Sequence, residues 1–330
     1  MRPADFSSYV AAIRAAFAGS TSKHDAHERA RPILQDMAAS RPAFTGIIEH
    51  HLERPDALSI SHYPVVSFDI ESNPDFGLVA NCWIPLPNGE TNMSTKAIHH
   101  HGDMLLTTVT AFGPGYEHWT FTPPELIDPD HDLFAMRLLD RAPHPEGHAD
   151  FVDANVGHVP FYPPSLTVTY ALWSSRKPTT WRDKLKRVPA LHKHSTTLRG
   201  MAARFGLGRA LDLKVVEYFD FFPSADGFHG MKSREEFGRG PVEDYLYSLF
   251  HVIQRTGNDP LGAIIRRRPD SASVPDAPVL ARLLDDLESG RTIEGRLSEG
   301  HYNVRFANFT GEAIQRGLAA SAALSAPARN

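Results

Sequence analysis

The chain has 330 residues, 42% hydrophobic, 22% charged and 10% aromatic, which supports a sizeable core and excludes a disordered chain. Its formal charge of −5 argues against a general nucleic-acid surface, and no apolar stretch reaches the length needed to span a bilayer. Cys82 is the only cysteine, which excludes an intramolecular disulfide and a cysteine-based zinc site and fits a cytoplasmic setting.

Residues 5–53 predict two or three helices, with Val10, Ile13 and Phe17 at helical spacing, then Ile33, Leu34 and Met37, and Pro42 opening the next helix. Arg14 breaks the first apolar run, so it fits an amphipathic helix better than a signal sequence. From 57 to 175 the pattern changes to short strands. Val65 to Ile70 and Leu78 to Trp83 are separated by Asn-Pro, and Leu105–Phe112 and Tyr116–Thr122 flank Gly113-Pro114-Gly115 as an expected hairpin. Further strands are expected at 133–141, 149–154 and 166–174, about eight in all, a spacing typical of a sandwich or barrel. Beyond 176 the pattern is mixed and increasingly helical. A strand is expected within 210–222, and Pro241 followed by Glu243 and Asp244 starts a helix to Gln254. Helices are also expected near 279–287 and 311–322. The division is a helical region 1–56, a strand region 57–180 and a mainly helical region 181–330.

Three adjacent histidines, His99, His100 and His101, stand at the mouth of a strand-forming segment. Side chains alternate along a strand, so His99 and His101 share a face that His100 does not. His158, at the entrance to the run Ser165–Ser174, is the candidate third ligand. Neutral imidazoles suit iron, zinc, copper and nickel, and three of them leave positions for substrate or water. With 18 histidines in the chain, a His-rich surface loop is the alternative reading. His50–His51, His144, His148 and the pair His192 and His194 are expected at the surface.

The spacing His99-x-His101, Gly113-Pro114-Gly115 and the distant His158 before Pro163-Pro164 resembles the two-motif pattern of cupins, and within them the three-histidine thiol dioxygenases such as cysteine dioxygenase. The resemblance covers about 60–175. It implies an α+β protein, a double-stranded β-helix barrel with N-terminal and C-terminal helical additions. It also implies a ferrous iron held by His99, His101 and His158. Where the usual cupin places a glutamate after the His-x-His pair this chain has Leu105 and Leu106. Where thiol dioxygenases carry a Ser-His-Tyr relay it has no histidine, and Trp173 stands at the tyrosine's place.

Around that centre, Glu117 and His118 are candidates for a general base or a fourth ligand, and strand parity admits only one of them inward. Tyr170 is a further catalytic candidate, with barrel packing the alternative. Trp119, Trp173 and Arg176 are substrate-binding candidates, with barrel packing the alternative for the tryptophans and a solvated rim the alternative for Arg176. The resulting expectation is a mononuclear Fe(II) oxygenase acting with O2 on a small anionic metabolite, zinc, nickel or manganese being the other metals considered. The competing expectations are a non-oxidative cupin metalloenzyme (isomerase, lyase or hydrolase) and a non-catalytic ligand-binding protein. No nucleic-acid or membrane partner is expected. A homodimer could use the apolar face of Tyr245, Leu246, Leu249, Phe250 and Ile253, for which core packing is the alternative.

Overall fold

The computed structural model describes residues 5–59, 65–85, 98–100, 102–131, 133–176, 217–224, 227–232, 241–268, 274–297, 316–317 and 319–320; residues 98–100, 217–224, 227 and 230–232 are described by backbone alone. Helices α1 (Phe6–Ala18), α2 (Lys23–Ala38) and α3 (Arg41–Leu52) come first. α1 buries Val10, Ile13 and Phe17, the stripe its periodicity predicts. Ser22 caps α2 by accepting the Asp25 N–H at 3.1 Å, and Ser40 caps α3 by accepting the Ala43 N–H at 3.3 Å, with Pro42 in the first turn.

Two antiparallel sheets follow. The first has the order β1 (Val66–Ser72), β2 (Gly77–Trp83), β11 (Thr167–Ser175), β4 (Met104–Phe112) and β9 (Ala149–Val152). The second runs β6 (Glu125–Asp128), β7 (Leu133–Met136), β13 (Gly227–Lys232), β12 (Glu217–Ser224), β3 (Ile98–His100), β10 (Gly157–Pro160), β5 (Tyr116–Phe121) and β8 (Leu138–His144). Mixed helix and antiparallel sheet makes the protein α+β, as expected. The expected closed barrel is not shown: the described strands form two open sheets, and no strand of one is laddered to a strand of the other among the described residues. The second sheet takes strands from both sides of position 180, because β12 pairs with β3 and β13 with β7.

The expected hairpin at Gly113-Pro114-Gly115 is a corner instead. β4 pairs with β11 and β9, whereas β5 pairs with β10 and β8, so the three residues carry the chain from one sheet to the other. Gly113 and Gly115 have φ of +87° and +79°. A Cβ at 113 would lie 2.1 Å from the Leu166 carbonyl oxygen, and one at 115 would lie 1.9 Å from that of His144. Only glycine permits both the conformation and the approach.

Parity divides the first sheet. Leu78, Ala80 and Cys82 of β2, Val109 of β4, and Val168, Tyr170 and Leu172 of β11 face the helices and form one core with α1–α3. That core also takes in α4 (Val242–Arg255), α5 (Gly262–Arg266) and α6 (Ala277–Glu288). Fully burying each large aliphatic side chain contributes about 1.5–3 kcal/mol. The α4 face of Tyr245, Leu246, Leu249, Phe250 and Ile253 is buried within this chain, so it is not open to a second copy. His27 of α2 ties the layers together: its ring nitrogens lie 2.8 Å from the Thr107 hydroxyl and 2.9 Å from the Ser174 hydroxyl. His51, expected at the surface, is 1% exposed and lies 2.9 Å from the Tyr245 hydroxyl, which donates to the Ala57 carbonyl.

Candidate functional site

The opposite parity of the first sheet, including Thr108, Thr110 and Asp150, faces the second sheet, whose β5 contributes Tyr116 and His118 and whose β10 contributes His158. The register sets these positions. Asp150 stands opposite Thr108 in the β4–β9 ladder. His158 stands opposite Thr120 on one side and opposite His99 on the other, and His118 stands opposite Pro160. Directly opposed residues of an antiparallel pair share a face. Positions 99, 118, 120 and 158 therefore lie on one face, and backbone pairing also brings position 218 of β12 opposite 99.

The described side chains form a connected polar group. Asp150 Oδ2 lies 2.5 Å from His118 Nδ1, and His118 Nε2 lies 2.9 Å from His158 Nδ1. His118 and His158 are both 4% exposed. Beside them His144 is held by two hydroxyls: Thr110 donates to the His144 carbonyl at 2.9 Å and so accepts from His144 Nδ1 at 2.8 Å, leaving Nε2 to accept from Thr108 at 2.9 Å. Tyr116 stacks on His144 at 5.0 Å between centroids and meets His118 edge-on at 6.0 Å. Trp83 and Tyr162 close the aromatic end, at 5.5 Å from Tyr116 and 6.0 Å from Trp83 respectively.

Electrostatics follow from burial. Desolvation works to raise the Asp150 pKa, but the hydrogen bond from His118, its charge, the Phe151 N–H and His144 outweigh it and hold the carboxyl below its ordinary value. His144 is pushed down to about 4, first by burial and then by the neighbouring His118, so it is neutral near pH 7. Burial raises the Tyr116 phenol, keeping it protonated.

Of the expected site residues, His118 and His158 are brought together in the space between the sheets, and backbone position 99 is laddered to 158. His101 lies outside the described residues. Parity resolves the Glu117–His118 choice in favour of His118: Glu117 is on the other face, where its carboxylate accepts from Arg141 and, at 2.5 Å, from Trp119 Nε1. Trp119 is corrected likewise, packing with Phe121, Val159, Phe161 and Phe228 in a separate core behind the sheet. Tyr170 is corrected because its strand position turns it into the helix-facing core, 0% exposed. Trp173 packs onto Gly77, where a Cβ would lie 2.2 Å from its ring. Arg176 is exposed just past β11, its N–H donating to the Asp103 carbonyl at 2.7 Å. His192 and His194 lie outside the described residues.

Asp150, Thr108, Thr110 and Tyr116 are site residues that sequence reasoning passed over, and His144, expected at the surface, is 1% exposed. The one signal was an acid within the alternating apolar run Ala149–Val152. Among the described residues no three His, Cys, Asp or Glu side chains are placed to hold a metal ion. Among them, too, no helix is long and apolar enough to cross a membrane.

No family model and no curated protein matches the chain. Solved structures do match. An oxalate decarboxylase from Lactobacillus farciminis, in a formate complex, is similar over 48% of this chain and 43% of its own, with 12% identity and a TM-score of 0.23. An oxalate oxidase matches over 49% of this chain and 75% of its own, at 10% identity and a TM-score of 0.22. These structural neighbours are cupins. An RmlC-like cupin from Shewanella frigidimarina is similar over 36% of this chain and 78% of its own, at 13% identity and a TM-score of 0.21. Likeness of this degree carries no chemistry to this chain.

Proposed function

We propose that the protein is a mononuclear metal enzyme whose ion is held by His99, His101 and His158 in the space between the two sheets, with Fe(II) as the metal and O2 as co-substrate. The observation that carries this reading is the β3–β10 register, which opposes residue 99 to the buried His158. The donor set fits such an ion: imidazoles suit first-row transition metals, and Asp150, linked through His118 to His158, places a negative charge that favours a cation. When bound, the ion would supply a Lewis-acidic centre with open positions for O2 and a substrate anion. Three neutral ligands leave its charge uncancelled, which favours a small anionic substrate.

The chain's own groups do the rest. His118 holds His158 from behind, and Asp150 holds His118. Burial keeps His144 neutral, and Thr108 and Thr110 fix its ring, so the wall beside the site presents uncharged hydroxyl, imidazole and aromatic groups. The test is oxygen consumption by the Fe(II)-loaded protein across a panel of small carboxylates and thiols. Substrate-dependent uptake that is lost in His158→Ala supports the reading. Turnover without O2 uptake would move it to isomerase, lyase or hydrolase chemistry, and tight metabolite binding without turnover would make the protein a binder.

A further inference from the structure

We infer that Asp150 and His118 form a two-link relay that sets the tautomer of His158, leaving Nε2 of His158 as its metal-binding nitrogen; this rests on the metal reading above. The two carboxylate oxygens of Asp150 have separate duties. Oδ1 accepts the Phe151 N–H at 2.8 Å, and Oδ2 lies 2.5 Å from His118 Nδ1. A carboxylate only accepts, so the hydrogen of that short contact belongs to His118 Nδ1. The Nδ1–H tautomer of His118 has its lone pair on Nε2, 2.9 Å from His158 Nδ1. The hydrogen of this second contact can come only from His158 Nδ1. His158 consequently carries its own lone pair on Nε2, the nitrogen that can bind a cation. Outer partners that fix a ligand's tautomer in this way change metal affinity by about 10–100-fold when removed.

The geometry makes a sharp variant available. In Asp150→Asn the Phe151 N–H still requires an oxygen, which keeps the amide oxygen at the Oδ1 position and turns the NH2 toward His118 Nδ1. His118 must then accept at Nδ1 and donate from Nε2, and His158 must accept at Nδ1 and carry its hydrogen on Nε2. One isosteric change, outside the metal ligands, reverses both rings. Asp150 and His118 are thus positioning residues.

The experiment uses the full chain, metal-free and labelled with 15N-histidine, with His158 assigned by comparison with His158→Gln. Long-range proton–nitrogen spectra are expected to show a protonated Nδ1 and an unprotonated Nε2 on His158, and the reverse pattern in Asp150→Asn. Cobalt(II) titration of the same samples is expected to show about 10–100-fold weaker binding in Asp150→Asn. His118→Gln, whose amide oxygen can still accept from His158 Nδ1, is expected to keep the wild-type His158 pattern; if Asp150→Asn does not fold, the wild-type spectrum itself carries the test. A protonated Nε2 on wild-type His158, or an unchanged pattern and cobalt affinity in Asp150→Asn, overturns the relay while leaving the metal reading standing. The expected nitrogen pattern in a protein that binds no cobalt overturns the metal reading while leaving the relay standing.

Discussion

His27 provides a direct electrostatic test of how the helices are held to the sheet. It is 2% exposed, lies between the Thr107 and Ser174 hydroxyls, and meets Phe17 and Phe151 edge-on at 5.5 and 5.7 Å. Burial, then the charges of His24 and Lys23, lower its pKa from 6.5 to about 3. Because the folded value is depressed, the unfolded chain takes up a proton below pH 6.5 that the folded chain refuses until about pH 3. The contribution is complete above the unfolded value and is lost as pH falls. Each pKa unit is worth about 1.36 kcal/mol, so lowering the pH from 7 to 4 should remove about 3 kcal/mol through this group alone. Urea denaturation of wild type and His27→Gln at both pH values isolates it, since every other titrating group is common to the two. Wild type is expected to lose about 3 kcal/mol more than the variant across the interval. Equal losses would refute the neutral, sealed His27.

Other outcomes follow from the packing. Gly115→Ala would set a methyl 1.9 Å from the His144 carbonyl oxygen at a φ of +79°, so a loss of about 2–4 kcal/mol is expected in thermal or chemical unfolding, and a neutral result would contradict the corner. Tyr170→Phe removes a buried hydroxyl with no partner among the described residues. Stability is therefore expected to hold or rise by up to about 1 kcal/mol, with cobalt(II) affinity unchanged; weakened binding would return Tyr170 to the site. Glu117→Gln breaks a half-exposed pair with Arg141 on the far face of β5, so a change below about 1 kcal/mol and unaltered cobalt affinity are expected from melting and titration.

The periodic elements were legible in the sequence. Val10, Ile13 and Phe17 announced α1, and Pro241 with its following acids announced α4, because one-sided burial imposes spacing that a single chain displays. The Gly113-Pro114-Gly115 turn was visible, but turn chemistry states that the chain bends and not which sheet receives the next strand; that depends on β11, more than fifty residues later. Parity alone could not choose between Glu117 and His118, since an irregularity of one residue reverses it. The ladder from His118 to Thr120 is regular and the register shift falls after it, between Thr120 and Phe121. Asp150 was missed because its partner is 32 positions away in the other sheet. His51 and His144 were misplaced for a related reason: a histidine can be buried only where hydroxyl or carbonyl partners meet it, and those partners come from distant segments.

The most direct test of the metal reading is elemental analysis of untagged protein purified without chelators, alongside the His99→Ala, His101→Ala and His158→Ala variants, each checked for retained fold by circular dichroism. Near-stoichiometric iron is expected in wild type, and its loss in all three variants. Stoichiometric metal retained in the variants, or none in wild type, would contradict it.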